Sequence, residues 1–322
     1  MIEMVLRSLS KEKLSIFLFH KIPLAPSKLA PYDLAFEEFQ RMLDYIAERF
    51  NVIPLDEATQ LLGAGKLPER AACLTFDDGY YGWVEHVMPE LLSRNLHATF
   101  FITTCQFSGK PMWHERVELA LSQLPPGQIT LPDAELGALP VTDEATRLFA
   151  LRRIEQYLKY LPLARRERLI EHLENVSGAQ PADLQLMAAD DVRVLHAKGF
   201  SIGAHTVNHP ILTLCSEKDA RNEIAEARES LSALINAAVD GFAYPNGRPA
   251  QDFNERHVRL VKEAGYKYAV TTQWGAATAE TSLLQIPRFT PWGPGSLRMS
   301  YQLARNYLLP GKTLGITESV LV

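Results

Sequence analysis

The sequence predicts an α/β fold, a barrel-like sheet of mostly parallel strands, and two observations carry that expectation. Seven short apolar runs, at 14–19, 72–76, 98–102, 200–204, 241–244, 268–271 and 284–289, alternate with segments of helical or polar character. Unbroken apolar runs of this length suit strands buried on both faces, and strands alternating with helices imply a parallel sheet covered on both sides. The second observation is size. With 322 residues, 47% hydrophobic and 22% charged, the chain can bury a large core and favours a closed arrangement of seven strands over a small open sheet.

In chain order, 14–19 is the first strand and a helical pattern follows over 36–50. The run 72–76 leads straight into Asp77 and Asp78, with a helix expected over 84–93 before the strand at 98–102. From about 110 to 190 the rhythm stops: Pro125-Pro126 precedes charged helical segments at 145–161 and 164–175, with no clear strand. We read this stretch as a helical insertion over one edge of the barrel, within a single domain spanning 1–322; an ordinary long crossover is the alternative. Alternation resumes with the strand at 200–204, a helix over 217–236, a strand at 241–244 and a helix over 254–264, where Gly265 stands at the expected C-cap. The runs at 268–271 and 284–289 complete the set, and the tail after Pro310 is expected to be peripheral.

Composition excludes several function classes. A net charge of -5 and a pI near 6.0 argue against a nucleic-acid partner, which calls for a basic field. No Lys/Arg block suggests an anionic membrane surface, and no run is long enough to span a bilayer. Cys73, Cys105 and Cys215 show neither metal-ligand spacing nor a disulfide framework, and Cys73 reads as a small buried hydrophobe. The apolar stretch at 14–19 is too short for a signal h-region and charges precede it closely, so a cytoplasmic location is expected. Oligomeric state is not readable from these features.

Two segments carry chemistry. In Leu74-Thr75-Phe76-Asp77-Asp78-Gly79-Tyr80 an apolar strand runs into adjacent carboxylates at its C-terminal end, where α/β sites are built. Two like charges side by side raise the pKa of one unless a cation neutralises them. An Asp-Asp-Gly turn whose acids only bond the backbone has the same spelling. In Gly203-Ala204-His205-Thr206-Val207-Asn208-His209-Pro210, two imidazoles four residues apart can converge on one ion across a helical turn. Alone, such a pair is more often two loop histidines. Together the segments supply two histidines and a carboxylate for Zn²⁺ with an open position, and a second carboxylate to take a proton from water.

These segments resemble the polysaccharide deacetylases that carry the NodB-homology domain (carbohydrate esterase family 4). The resemblance runs from about 14 to 289. It rests on Thr75-Phe76-Asp77-Asp78-Gly79-Tyr80 and His205-Thr206-Val207-Asn208-His209, with Phe17-Leu18-Phe19-His20 and Ala98-Thr99-Phe100-Phe101 in matching order. It implies a distorted (β/α)7-type barrel and metal-dependent hydrolysis of an N-acetyl group on an amino sugar or N-acetylglucosamine-containing saccharide. Asp77 would be the general base, and Asp78, His205 and His209 would hold the metal. Zn²⁺ suits those ligands, with Co²⁺, Fe²⁺ or Ni²⁺ as substitutes.

The departures are equally specific. Many members carry Arg-x-Pro-Tyr in a third motif, and Ala243-Tyr244-Pro245-Asn246-Gly247 puts Ala243 in place of that arginine. The segment is closer to a Tyr-Pro-Tyr-Gly subgroup that resembles deacetylases of poly-N-acetylglucosamine. A later motif that usually ends in a general-acid histidine reads Leu284-Gln285-Ile286-Pro287-Arg288, and no clear aspartate-tryptophan motif is found. We therefore expect Arg288 to pair with Asp77, since a guanidinium grips a carboxylate bidentately; a strand-end surface charge is the plain alternative. The general acid stays open, with His20 read as a satisfied strand-end histidine. A backbone N–H near Asn246 is the expected oxyanion donor. Tyr80, Tyr244, Trp113 and Trp292 are candidates for a sugar platform, with Pro245 and Asn246 lining the substrate.

Three other readings stand beside this one. A related hydrolase could cleave a formamide or a cyclic ureide on the same triad. A carbohydrate-binding protein could keep the fold without activity. A partner in polysaccharide assembly could use 110–190 as its interface. Without a signal peptide, the substrate expected is a precursor sugar or a short oligomer.

Overall fold

Two apolar runs dictate the first pairing: Ser15–Phe19 (β1) lies parallel to Ala71–Asp78 (β3), in register from Ser15 opposite Ala72 to Phe19 opposite Phe76. The computed structural model describes residues 2–25, 27–31, 33–132, 135–180, 182, 184–291 and 295–309. Contacts divide the chain into two units, one of 1–24, 34–104 and 187–322, the other of 25–33 and 105–186.

In the first unit the sheet order is β1-β3-β4-β7-β8-β9, with Thr99–Ile102 as β4, Ser201–Ala204 as β7, Gly241–Ala243 as β8 and Tyr268–Val270 as β9. Every one of these pairings is parallel. The two-residue Asn51–Val52 (β2) pairs with the start of β3. The predicted strand at 284–289 is reduced to two bridges, Ile286 to Val270 and Phe289 to Phe17. Pro287 between them has no N–H to give a ladder, so the pairing stays discontinuous. Those bridges still join the two edge strands, β9 and β1, which makes the distorted barrel the sequence predicts.

Helices cover the strands. Phe36–Arg49 is α2, Leu55–Gly63 is α3, Ala189–Ala197 is α8, Glu217–Ile235 is α9 and Glu255–Glu263 is α10. Ile2–Leu9 (α1) and Ser296–Leu308 (α11) end the unit. The sequence reading missed α1, α3, α8 and α11. The helix expected over 84–93 begins instead as a π-turn at Trp83–Val87 and becomes α-helical only over Met88–Ser93 (α4). Pro89 explains the wide turn, since its ring crowds the carbonyl four residues back and offers no N–H. Aromatic rings fill the core beside these elements: Phe76 stacks on Phe100 at 5.0 Å and meets Trp83 edge-on at 5.9 Å.

The second unit has its own core. Trp113–Gln123 (α5), Glu144–Lys159 (α6) and Leu163–Ser177 (α7) bury Val117, Leu121, Ile154, Leu158, Leu169 and Leu173. Asp143 caps α6 by accepting the Thr146 N–H. Arg116 is buried in this unit between Glu167 and Glu174, at 2.6 and 2.7 Å. A two-stranded antiparallel pair, Gln128–Ile129 (β5) with Leu139–Pro140 (β6), lies where no clear strand was expected; strands of two residues show no periodicity. The tail after 309 and Trp292 lie outside the described residues. Among those described, no helix is long and apolar enough to cross a membrane.

Close packing at Gly203 generates a stability prediction. A Cβ on Gly203 would meet the Phe101 ring at 2.3 Å, and that ring is fully buried. Gly203→Ala should therefore destabilise the protein by about 1–3 kcal/mol through overpacking. Urea unfolding checks it; an unchanged midpoint would show that the ring yields freely.

Candidate active site

Strand register sets the candidate groups on one edge. Asp78 lies opposite Ile102, and Ile102 opposite Ala204, so Thr103 and His205 leave the sheet one step beyond Asp78. Because the strands are parallel, this is a C-terminal edge, where loops carry side chains out of the sheet. Hydrogen bonds continue across it: His205 N–H donates to Ile102, Thr103 N–H to Asp78, and Thr103 Oγ1 to the His205 carbonyl at 3.2 Å.

The histidines do not sit on a helical turn, as the spacing suggested. Residues 205–209 form no helix, and Thr206 and His209 have φ of 65° and 51°. A non-glycine residue in that region costs roughly 1–3 kcal/mol unless surrounding groups compensate. Thr206 Oγ1 accepts the His209 N–H at 3.1 Å, which folds the segment on itself and brings the two rings to 4.8 Å between centroids. His205 Nδ1 donates to the Ala243 carbonyl at 2.8 Å, leaving Nε2 for the cluster. Glu223 of α9 accepts from the Val207 and Asn208 N–H groups at 2.9 and 2.8 Å. The sequence reading did not single out Glu223; its signal was a carboxylate within the apolar stripe of α9.

Asp78 Oδ1 stands 3.4 Å from His205 Nε2 and 3.5 Å from His209 Nε2, while Tyr80 donates its hydroxyl to Asp78 Oδ2 at 3.1 Å. Burial pushes the Asp78 carboxyl up. The hydrogen bond from His205 and the charges of His209 and His20 outweigh it and hold the group well below the usual range. His205 shows the converse: burial pushes it down, but Asp77 and Asp78 leave it raised. The adjacency of the two acids therefore does not lift Asp78, because imidazoles supply the positive charge.

Asp77 has a separate partner. Arg288, fully buried, donates from Nη1 and Nη2 to the two Asp77 oxygens at 2.7 and 2.6 Å. Two further donors reach the Thr271 carbonyl at 2.9 Å and Thr75 Oγ1 at 3.2 Å, and Thr75 in turn donates to the Phe17 carbonyl. Asp77 Oδ2 lies 3.9 Å from His205 Nε2, so the clamped carboxylate flanks the cluster.

Other candidates take different places. Tyr244 is fully buried, stacked on Phe253 at 3.9 Å, with its hydroxyl on the Leu284 carbonyl, so it offers no face to a sugar. Pro245 is buried, and half-buried Asn246 has φ of 58° with its carbonyl accepting from Thr272. Trp113 belongs to the second unit, where Arg166 lies over its ring at 5.0 Å. Tyr80 is half-buried and touches Asp78 directly.

The donor set fits a divalent metal. Ligand atoms of Asp78, His205 and His209 all lie within 4.8 Å of one another. Two ligand atoms ~2.0–2.1 Å from one tetrahedral ion would stand ~3.3 Å apart, close to the Asp78–histidine separations. Two imidazoles and a carboxylate are also the donors that hold Zn²⁺ with a fourth position open.

The sequence pattern described as polysaccharide deacetylase matches residues 64–123 and 151–269. The chain is 20% identical over 278 residues to YxkH of Bacillus subtilis (strain 168), provisionally named a polysaccharide deacetylase, covering 86% of this chain and 70% of that one. In fold it is similar to the deacetylase PplD of Streptococcus pyogenes, solved in complex with acetate, at a TM-score of 0.61 and 20% identity, covering 91% of this chain and 98% of that one. It is also similar to IcaB from Ammonifex degensii, at a TM-score of 0.56 and 16% identity, covering 92% and 98%.

Arg288→Met leaves a buried carboxylate without its cation and should cost about 3–5 kcal/mol. Adding Asp77→Asn should return much of that loss. Denaturant unfolding of the metal-free single and double variants checks both, and equal stability of Arg288→Met and the parent would show that Asp77 does not depend on Arg288.

Proposed function

The chain belongs to the polysaccharide deacetylase family, and we propose that it is a metal-dependent hydrolase. It removes an N-acetyl group from an amino sugar or an N-acetylglucosamine-containing saccharide, releasing acetate and a free amine. One observation carries this reading: a carboxylate clamped by Arg288 stands beside an Asp–His–His cluster on the same strand edge. The likeness to PplD, solved with acetate, supports acetate as the product.

Asp78, His205 and His209 hold the metal, with Zn²⁺ best suited to their donor atoms. A divalent cation held there would supply Lewis acidity to the acyl carbonyl and to the attacking water. Asp77 accepts the proton of that water. Arg288 holds both its oxygens in one plane, so the base meets the water in a fixed orientation. Tyr80 fixes Asp78 from the outer side. The Asn246 N–H donates to no group among the described residues and can meet the developing oxyanion. His20 follows β1, whose last residue Phe19 pairs with Phe76 next to Asp77, and is exposed; we assign to it the proton delivered to the leaving amine.

Amine release from N-acetylglucosamine oligomers tests the assignment. Asp77→Asn should lower kcat by roughly 10²–10⁴-fold while the protein still binds Zn²⁺. His205→Ala should lose both metal and activity. An inactive protein that binds Zn²⁺ tightly would redirect the reading to another acyl group, and one that binds none would favour a non-catalytic saccharide-binding role.

His20→Gln gives a separate check. It should lower kcat with little change in Zn²⁺ affinity, as loss of a general acid requires. Parent-like turnover would return His20 to a structural role.

A further inference from the structure

We infer that Glu223 is a positioning residue of the metal centre, shaping the His205–His209 segment from behind before any ion arrives. This rests on the reading of Asp78, His205 and His209 as metal ligands. Glu223 occupies the face of α9 that also buries Ala220, Ile224, Ala227 and Leu231, and only 7% of it is exposed. A carboxylate in that apolar stripe is costly unless donors meet it. Three donors come from two of the three residues between His205 and His209. Oε2 accepts the Val207 N–H at 2.9 Å and the Asn208 N–H at 2.8 Å, and Oε1 accepts the Asn208 side-chain amide at 2.7 Å.

The segment needs outside support. Thr206 and His209 both hold positive φ, which L side chains rarely adopt, so local preference alone does not give this shape. Thr206 Oγ1 ties one end by accepting the His209 N–H. Glu223 fixes the middle, gripping two consecutive N–H groups with one oxygen. The helix that carries it is itself anchored, with Ser216 capping its N-terminus and Asn236, at φ of 50°, closing its C-terminus. An acceptor fixed to a packed helix holds two imidazoles 4.8 Å apart and removes an ordering cost that the metal would otherwise meet. Groups that orient ligands in this way are typically worth ~10–100-fold in metal affinity.

The test measures Zn²⁺ affinity of the full chain by competition with a chromophoric chelator, beside the visible spectrum of the Co²⁺ form. Glu223→Ala and Glu223→Asp, whose shorter side chain cannot reach the segment, should each weaken Zn²⁺ binding by about 10–100-fold and alter the Co²⁺ bands. Glu223→Gln should stay near the parent, because its carbonyl oxygen still meets both backbone N–H groups and Asn208 can turn its own oxygen to the new amide. Glu226→Ala, an exposed acid on the same helix, should leave affinity unchanged. Parent-like affinity in Glu223→Asp would overturn the inference, and that variant decides alone if Glu223→Ala does not fold. Equal losses in Glu223→Gln and Glu223→Ala would overturn it too, by making charge rather than hydrogen bonding the cause. A parent protein without Zn²⁺ affinity would instead defeat the metal-centre reading itself.

Discussion

A fully buried guanidinium, Arg288, is the constraint on which the candidate site depends. Such a group persists inside a protein only when its donors are met, and here they are met by Asp77, Thr75 and the Thr271 carbonyl. These partners lie on β3 and just past β9, while Arg288 stands between the two bridges, Ile286 and Phe289, that join β9 to β1. One ion pair therefore pins the discontinuous strand into the sheet and sets the plane of the proposed base. Packing reinforces it, because Phe101 lies under the guanidinium at 5.7 Å and Gly203 leaves room for that ring.

The adjacent acids are separated in role by backbone geometry. In an ideal strand, neighbours point to opposite faces. At Asp78 φ turns to 90°, taking that residue off the pleat, and Gly79 follows at 98°. Both carboxylates then come near one imidazole nitrogen, at 3.9 and 3.4 Å, yet each has a different counter-charge. Asp77 is matched by Arg288, and Asp78 by the cation it would hold together with the imidazoles. The arrangement tolerates two buried negative charges because neither is left to the other.

Ala243 marks the difference from the pattern seen in many family members, where an arginine stands in this motif. Its contribution here is a backbone carbonyl that fixes His205 through Nδ1. The guanidinium comes from a later segment instead. A backbone acceptor does not depend on side-chain identity, which makes alanine acceptable at this position once another arginine serves the aspartate.

The sequence by itself determined the alternation of buried strands and helices, the Asp77-Asp78 and His205–His209 segments, and the family. Those features are local: apolar runs bounded by turn residues, and chemistry-bearing side chains placed just past strand ends. Tertiary structure alone decided the rest. Pro287 broke a run that composition made strand-like, and the hairpin of β5 and β6 was too short to show a period. Tyr244 went into the core, where Phe253 stacks on it and the carbonyl of Leu284, distant in sequence, accepts its hydroxyl. Glu223 became visible only when α9 packed behind β7, and positive φ at Thr206 and His209, not helical spacing, brought the imidazoles together. A linear pattern records what each residue offers. Which partner it meets depends on register and closure, and those exist only once the barrel has formed.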